Sequence, residues 1–142
     1  MKLEECLKLP DRISIEECAE YFKKALSCFY KNEITKQEFL DILLELTDRQ
    51  VMTYEIIEKN LRNELDKCIV SLWNTDLYDD VDSILSIVAN LGLEKTYEVI
   101  KESLNNVERM SEDIYYEIKD CVEENGDNIS NPYRFLDKEC YH

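Results

Sequence analysis

The chain has 142 residues, of which 44% are hydrophobic and 35% charged, and its formal net charge is −15. That length and apolar share suit one globular domain with a sizeable core rather than a disordered chain. Two glycines and two prolines are too few for the turns of a β-rich fold, and so acidic a surface repels phosphate backbones and anionic lipid, which argues against direct nucleic-acid or membrane binding.

Residues 1–13 read as a short helical turn ending near Pro10. Ser14 and Glu17 then form an S-x-x-E capping box, the reciprocal bonding that starts a helix. Ile15, Cys18, Tyr21 or Phe22, Ala25 and Phe29 supply that helix with an inner face to about Tyr30. A second box, Thr35 with Glu38, opens a helix whose Phe39, Ile42, Leu43 and Leu46 point one way. Asn32 and Glu33 leave a short connection, so the two helices form an antiparallel hairpin.

Thr47 with Gln50 reads as a third box. From Val51 the stripe Tyr54, Ile57, Leu61, Leu65, Cys68 and Leu72 predicts the longest helix of the chain, ending at Trp73 and Asn74. Thr75 or Asp76 caps the next helix, in which Leu77, Val81, Ile84, Leu85, Val88 and Leu91 recur at helical spacing. Gly92 closes it in a left-handed conformation. Leu93, Tyr97, Ile100, Leu104 and Val107 restart the period, so this second pair is expected to press its stripes together at the centre of the domain. Ser111 caps a sixth helix through about Glu124, with Ile114, Ile118, Cys121 and Val122 inward, and Asn125-Gly126 stops it. Residues 127–142 read as an irregular C-terminal strap whose Tyr133, Phe135 and Leu136 dock on the helices. Trp73, Tyr54, Tyr78, Tyr97 and Tyr115 are assigned to the core or its boundary, with Tyr78 the one expected to be most exposed.

The expectation is therefore a single all-α domain over 1–142, with about six helices in antiparallel hairpins. No residue signature recurs between the hairpins, so a helical bundle and a short HEAT-like stack are both allowed. The six cysteines, Cys6, Cys18, Cys28, Cys68, Cys121 and Cys140, make no C-x-x-C and fall mostly on apolar faces. They read as thiols of a reducing cytoplasm. Lys2, Glu4 and Glu5 interrupt any leader-like run, and no apolar stretch approaches the roughly 20 residues of a membrane span.

Catalytic constellations fail on inventory. The one histidine, His142, is the last residue. That removes Ser-His-Asp and Cys-His arrangements, the H-E-x-x-H zinc motif and the E-x-x-H of di-iron bundles. Two glycines allow no phosphate-cradling loop. Asp76, Asp79, Asp80 and Asp82 crowd together without the order of a calcium loop. The chain is expected to be no enzyme and to carry no cofactor and no metal.

Charge is more informative. Residues 76–127 hold 15 acidic side chains against Lys95, Lys101, Arg109 and Lys119. On the sixth helix Asp113, Glu117, Asp120 and Glu124 follow at spacings of four, three and four, which makes one negative stripe. Tyr116 lies within it, and Tyr78 stands beside Asp79 and Asp80. Tyrosine among carboxylates combines apolar area with a hydroxyl, as interface anchors do. Two bland explanations compete. Acidic residues favour helix N-termini, which accounts for Asp76, Asp79, Asp80, Glu112 and Asp113 better than for Asp120 or Glu124; and an acidic surface can serve solvation alone.

The strings D-L-Y-D-D-V-D-S-I-L-S-I-V-A-N-L-G-L at 76–93 and G-D-N-I-S-N-P-Y at 126–133 resemble the small acidic immunity proteins of bacterial polymorphic or contact-dependent toxin systems. The resemblance covers the C-terminal half, and neither string is a catalytic motif. It implies a protein that binds a cognate toxin domain, often a basic nuclease, and blocks it. The candidate partner-binding residues are Asp76, Tyr78, Asp79, Asp80, Asp82, Asp113, Tyr116, Glu117, Asp120 and Glu124. Two other readings stand beside this one: a phage-type nucleic-acid mimic whose carboxylates replace phosphates, and a helical-repeat adaptor holding a peptide in an apolar groove.

Overall fold

The structure, a computed structural model, describes residues 1–132. It is all-helical in that range, with α1 (Leu3–Leu7), α2 (Ile15–Tyr30), α3 (Lys36–Val51), α4 (Lys59–Leu72), α5 (Tyr78–Leu91), α6 (Glu94–Ser103), a 3₁₀ segment (Leu104–Arg109) and α7 (Glu112–Asn125). The expected docking of Tyr133, Phe135 and Leu136 lies outside the described residues. No described helix is long and apolar enough to cross a membrane.

The local caps fold as the sequence predicts. Ser14 Oγ accepts from the Glu17 amide at 3.1 Å, while the Ser14 amide donates to Glu17 Oε1 at 3.3 Å. Thr35 Oγ1 accepts from the Glu38 amide at 3.1 Å. The Glu38 carboxylate does not complete that box; it takes the Leu3 amide at 3.1 Å and ties α1 to the start of α3. Ser111 Oγ accepts from the Ile114 amide and opens α7.

One helix boundary departs from expectation. Thr47 and Gln50 do not start a helix; they are buried within α3, which runs on to Val51. Thr53 Oγ1 donates to the Gln50 carbonyl at 2.7 Å and Gln50 Nε2 to the Glu55 carbonyl at 2.7 Å, so the chain closes into a turn. Tyr54 takes a left-handed φ of 56° there and is 60% exposed, outside the core assigned to it. Glu58 then caps α4, accepting from the Asn60 and Leu61 amides. The long stripe from Val51 is thus split, because its first two apolar positions lie on this turn.

Likewise, neither Thr75 nor Asp76 caps α5. Asn74 Oδ1 accepts from the Asp76 and Leu77 amides, and Leu77 occupies the cap position without a side-chain bond. Gly92 adopts φ 71°, and the amides of Gly92 and Leu93 both reach the Val88 carbonyl, so a left-handed C-cap ends α5. A Cβ on Gly92 would lie 2.9 Å from the Ile129 carbonyl oxygen. Gly92→Ala therefore adds a backbone clash to the left-handed penalty of about 1–2 kcal/mol, and a loss of at least about 2 kcal/mol in urea unfolding is expected. A loss under roughly 0.5 kcal/mol contradicts the packing of the 127–132 segment on this turn.

The helices lie in two rows. α3 packs on α5 and α5 on α7, while α4 packs on α6; α2 covers α3. The expected pressing together of α5 and α6 is only minor. A connection of Gly92 and Leu93 swings α6 into the other row, where Asp66 of α4 accepts from the Lys95 and Thr96 amides at 2.8 Å each. The period after Leu93 also stops early. Asn106 leaves helical φ/ψ, and Val107, predicted inward, is 46% exposed. The core runs continuously through Phe22, Phe39, Leu43, Leu65, Ile69, Ile84, Val88, Tyr97 and Ile118. Four of the cysteines pack as apolar groups, and the five described cysteines are all thiols. Trp73 is half-buried, its Nε1 donating to Ser103 Oγ at 2.9 Å.

Candidate functional site

α5 and α7 owe their pairing to the apolar positions Val81, Ile84, Leu85 and Val88 on one helix and Ile114 and Ile118 on the other. At one end Tyr78 donates its hydroxyl to Glu117 Oε1 at 2.9 Å. At the other, Ala89 and Asn90 share a hollow with Glu124 and Asn125. The two helices therefore run in the same direction, and their carboxylate-bearing edges face a common groove.

That groove is open to solvent and has a volume of about 580 Å³. Asp82, Glu117, Asp120 and Glu124 line its sides, Leu85, Ala89 and Cys121 its apolar floor, and Pro132 also borders it. Among the described residues, no lysine or arginine lines it. Lys119 on α7 pairs instead with Glu123, away from the groove. Burial first, then the neighbouring Glu124 and Glu117, push the Cys121 thiol up to about 11 against the opposing bond from Asn125. It is a protonated wall at neutral pH rather than a nucleophile.

A smaller notch adjoins the groove, lined by Tyr78, Asp113, Tyr116 and Glu117. The Tyr78 hydroxyl is held protonated above its ordinary range, chiefly by its bond to Glu117, with the charges of Asp82 and Asp113 adding to it. So residues 35 positions apart in sequence feel one another here, and two clusters that are separate in sequence adjoin in space.

The ten candidate residues thus divide. Asp82, Glu117, Asp120 and Glu124 meet in the groove, and Tyr78, Asp113 and Tyr116 meet at its mouth. Asp76 and Asp79 are exposed but line neither hollow. Asp80 turns inward, contrary to its assignment to the interacting surface. It is 2% exposed, with Lys36 Nζ at 2.6 Å and Asn74 Nδ2 at 3.1 Å on the same oxygen. It buckles the start of α5 to the start of α3.

Leu85 and Cys121, expected on inward faces, also border the groove. The signal was present for Cys121, which sits four residues after Glu117 and three before Glu124, within the negative stripe. No local signal marked Val107, Met110 and Tyr115, which line a hollow beside Tyr116. Among the described residues no three potential ligands converge closely enough to hold a metal ion.

Fold and groove together define a small all-helical chain with an acidic, apolar-floored cleft between two parallel helices. In comparisons with known proteins, no family model, curated protein or solved structure matches it.

Proposed function

We propose that the chain is a non-enzymatic binding protein that captures a basic protein through the α5–α7 groove and so neutralises it. The reading that fits best is an immunity protein for a cognate, nuclease-like toxin domain. The observation that supports it is the gathering of Asp82, Glu117 and Asp120 on one groove that, among the described residues, no lysine or arginine lines. Like charges held side by side raise the energy of the unbound surface. An incoming ammonium or guanidinium about 4 Å from one carboxylate gains roughly 1 kcal/mol in water and about 4 kcal/mol as the site dries. Such a field speeds association more than it slows release, and it fades once the Debye length falls below about 8 Å. The apolar floor adds burial, which separates capture of a folded partner from mere solvation.

The test is co-expression with the product of the neighbouring open reading frame, scored for rescue from toxicity and for a purified complex. The Asp82→Asn/Asp120→Asn double variant is expected to keep its thermal stability and lose at least about tenfold in association rate at low salt. Failure to form any complex removes the proposal. Binding to a host nucleic-acid enzyme that added polynucleotide competes away turns the reading to a phosphate mimic instead.

A further inference from the structure

We infer that the notch between Tyr78 and Tyr116 is the anchor of the interface and receives an arginine side chain of the basic partner, with an apolar residue of that partner lying alongside on Val107 and Met110. This rests on the reading of the chain as a binder of a basic protein.

The starting observation is aromatic rather than acidic. Tyr78 is 42% exposed, Tyr116 55% and Val107 46%, although each is a large apolar group with core available nearby. Tyr116 belongs to two adjoining hollows, one shared with Tyr78, Asp113 and Glu117, the other with Val107, Met110 and Tyr115. These side chains therefore form one continuous patch, and contiguous exposed apolar surface marks a contact site where scattered residues do not. Tyr115 stands edge-on to Tyr116 with ring centroids 5.4 Å apart, which props the Tyr116 ring before any partner arrives. Rigid aromatic anchors bind with little loss of side-chain freedom.

The chemistry of the notch selects its occupant. It offers tyrosine rings and two carboxylates within a volume of about 250 Å³. The Tyr78 hydroxyl fixes one oxygen of Glu117 at 2.9 Å, which orients the carboxylate without neutralising it. A guanidinium is planar, stacks on a ring and donates in a fork to a carboxylate; an ammonium does neither as well. The N-termini of α5 and α7 stand close by and carry about half a positive charge each. Two full carboxylates, Asp113 and Glu117, outweigh them at contact range. The adjoining acidic groove then takes the remaining basic side chains of the same partner.

The experiment uses the full chain and two capped peptides of equal charge, acetyl-Gly-Arg-Leu-Arg-Gly-amide and its lysine counterpart, followed by amide and tyrosine-ring NMR shifts. The arginine peptide is expected to shift residues 113–117 and Tyr78 and to bind about three- to thirty-fold more tightly than the lysine peptide. Tyr116→Ala is expected to remove that preference, and Tyr116→Phe to retain it. Equal binding of the two peptides, shifts confined to the groove, no localised shift, or a preference that survives Tyr116→Ala each overturns the anchor. Complex formation with the protein partner is scored separately. A partner that binds Tyr116→Ala as well as it binds the parent chain, yet loses affinity for Asp82→Asn/Asp120→Asn, sinks the anchor and leaves the basic-partner reading standing. Arginine-selective shifts without any protein partner do the reverse.

Discussion

Asp66→Ala is expected to lower the unfolding free energy by about 3 kcal/mol, the net cost of leaving several buried donors without acceptors. Asp66 is 5% exposed, and its carboxylate takes the Lys95 and Thr96 amides at 2.8 Å each and the Thr96 hydroxyl at 2.7 Å. It is thus an N-cap supplied from another helix, since Leu93 at the cap position of α6 makes no side-chain bond. Removing it orphans the amides of Lys95 and of the fully buried Thr96 and leaves the Thr96 hydroxyl only the Asp66 backbone carbonyl at 3.2 Å. Asp66→Asn keeps one acceptor oxygen and should cost roughly half as much. In a chain of 142 residues the alanine variant should melt roughly 10 °C lower. Urea unfolding followed by circular dichroism measures it. A loss under about 1 kcal/mol shows that α6 is held by its apolar face alone.

The second large effect separates two aspartates that stand two positions apart. Lys36→Met takes the countercharge from the Asp80 carboxylate, which keeps the Asn74 amide; the Asp80 side chain is 3% exposed and the lysine 39%. Breaking a fully buried pair costs about 3–5 kcal/mol; solvent reaching the lysine reduces that here to about 2–3 kcal/mol. Lys36→Met combined with Asp80→Leu should recover much of the loss, because the uncompensated charge goes with its partner. In binding assays the order reverses. Asp80→Asn is expected to change stability and leave partner affinity within about twofold, whereas Asp82→Asn leaves stability unchanged and slows association. An affinity loss for Asp80→Asn equal to that for Asp82→Asn contradicts the inward orientation of Asp80.

Much of the fold was legible because its signals are local. Ser14 with Glu17, Ser111 before Ile114 and Gly92 after Leu91 each act within one helical turn, and the apolar spacing of α2, α5 and α7 needs no partner to be read. The turn at 52–58 was missed because apolar residues at Val51 and Tyr54 continue the helical period by coincidence of spacing. What breaks it is a set of Gln50 and Thr53 side-chain bonds to nearby carbonyls, which residue type alone does not announce. The negative stripe of α7 could likewise be read from its spacing, but the orientation of α5 could not. Asp80 and Asp82 are one residue type in one helix, and Lys36 and Asn74, brought to the start of α5 by the fold, draw Asp80 inward.

By itself the sequence determined that the chain is helical, where most helices begin and end, and that its acidic residues crowd into the later ones. Tertiary structure decided which helices are neighbours and which carboxylates meet. α6 left α5 for α4 through Asp66 and Thr96, 30 positions apart, and Lys36 drew in Asp80 across 44. The physical reason is range. A cap or an apolar stripe is settled among residues a turn apart, whereas a groove exists only once two helices have been laid side by side by a core that neither encodes alone.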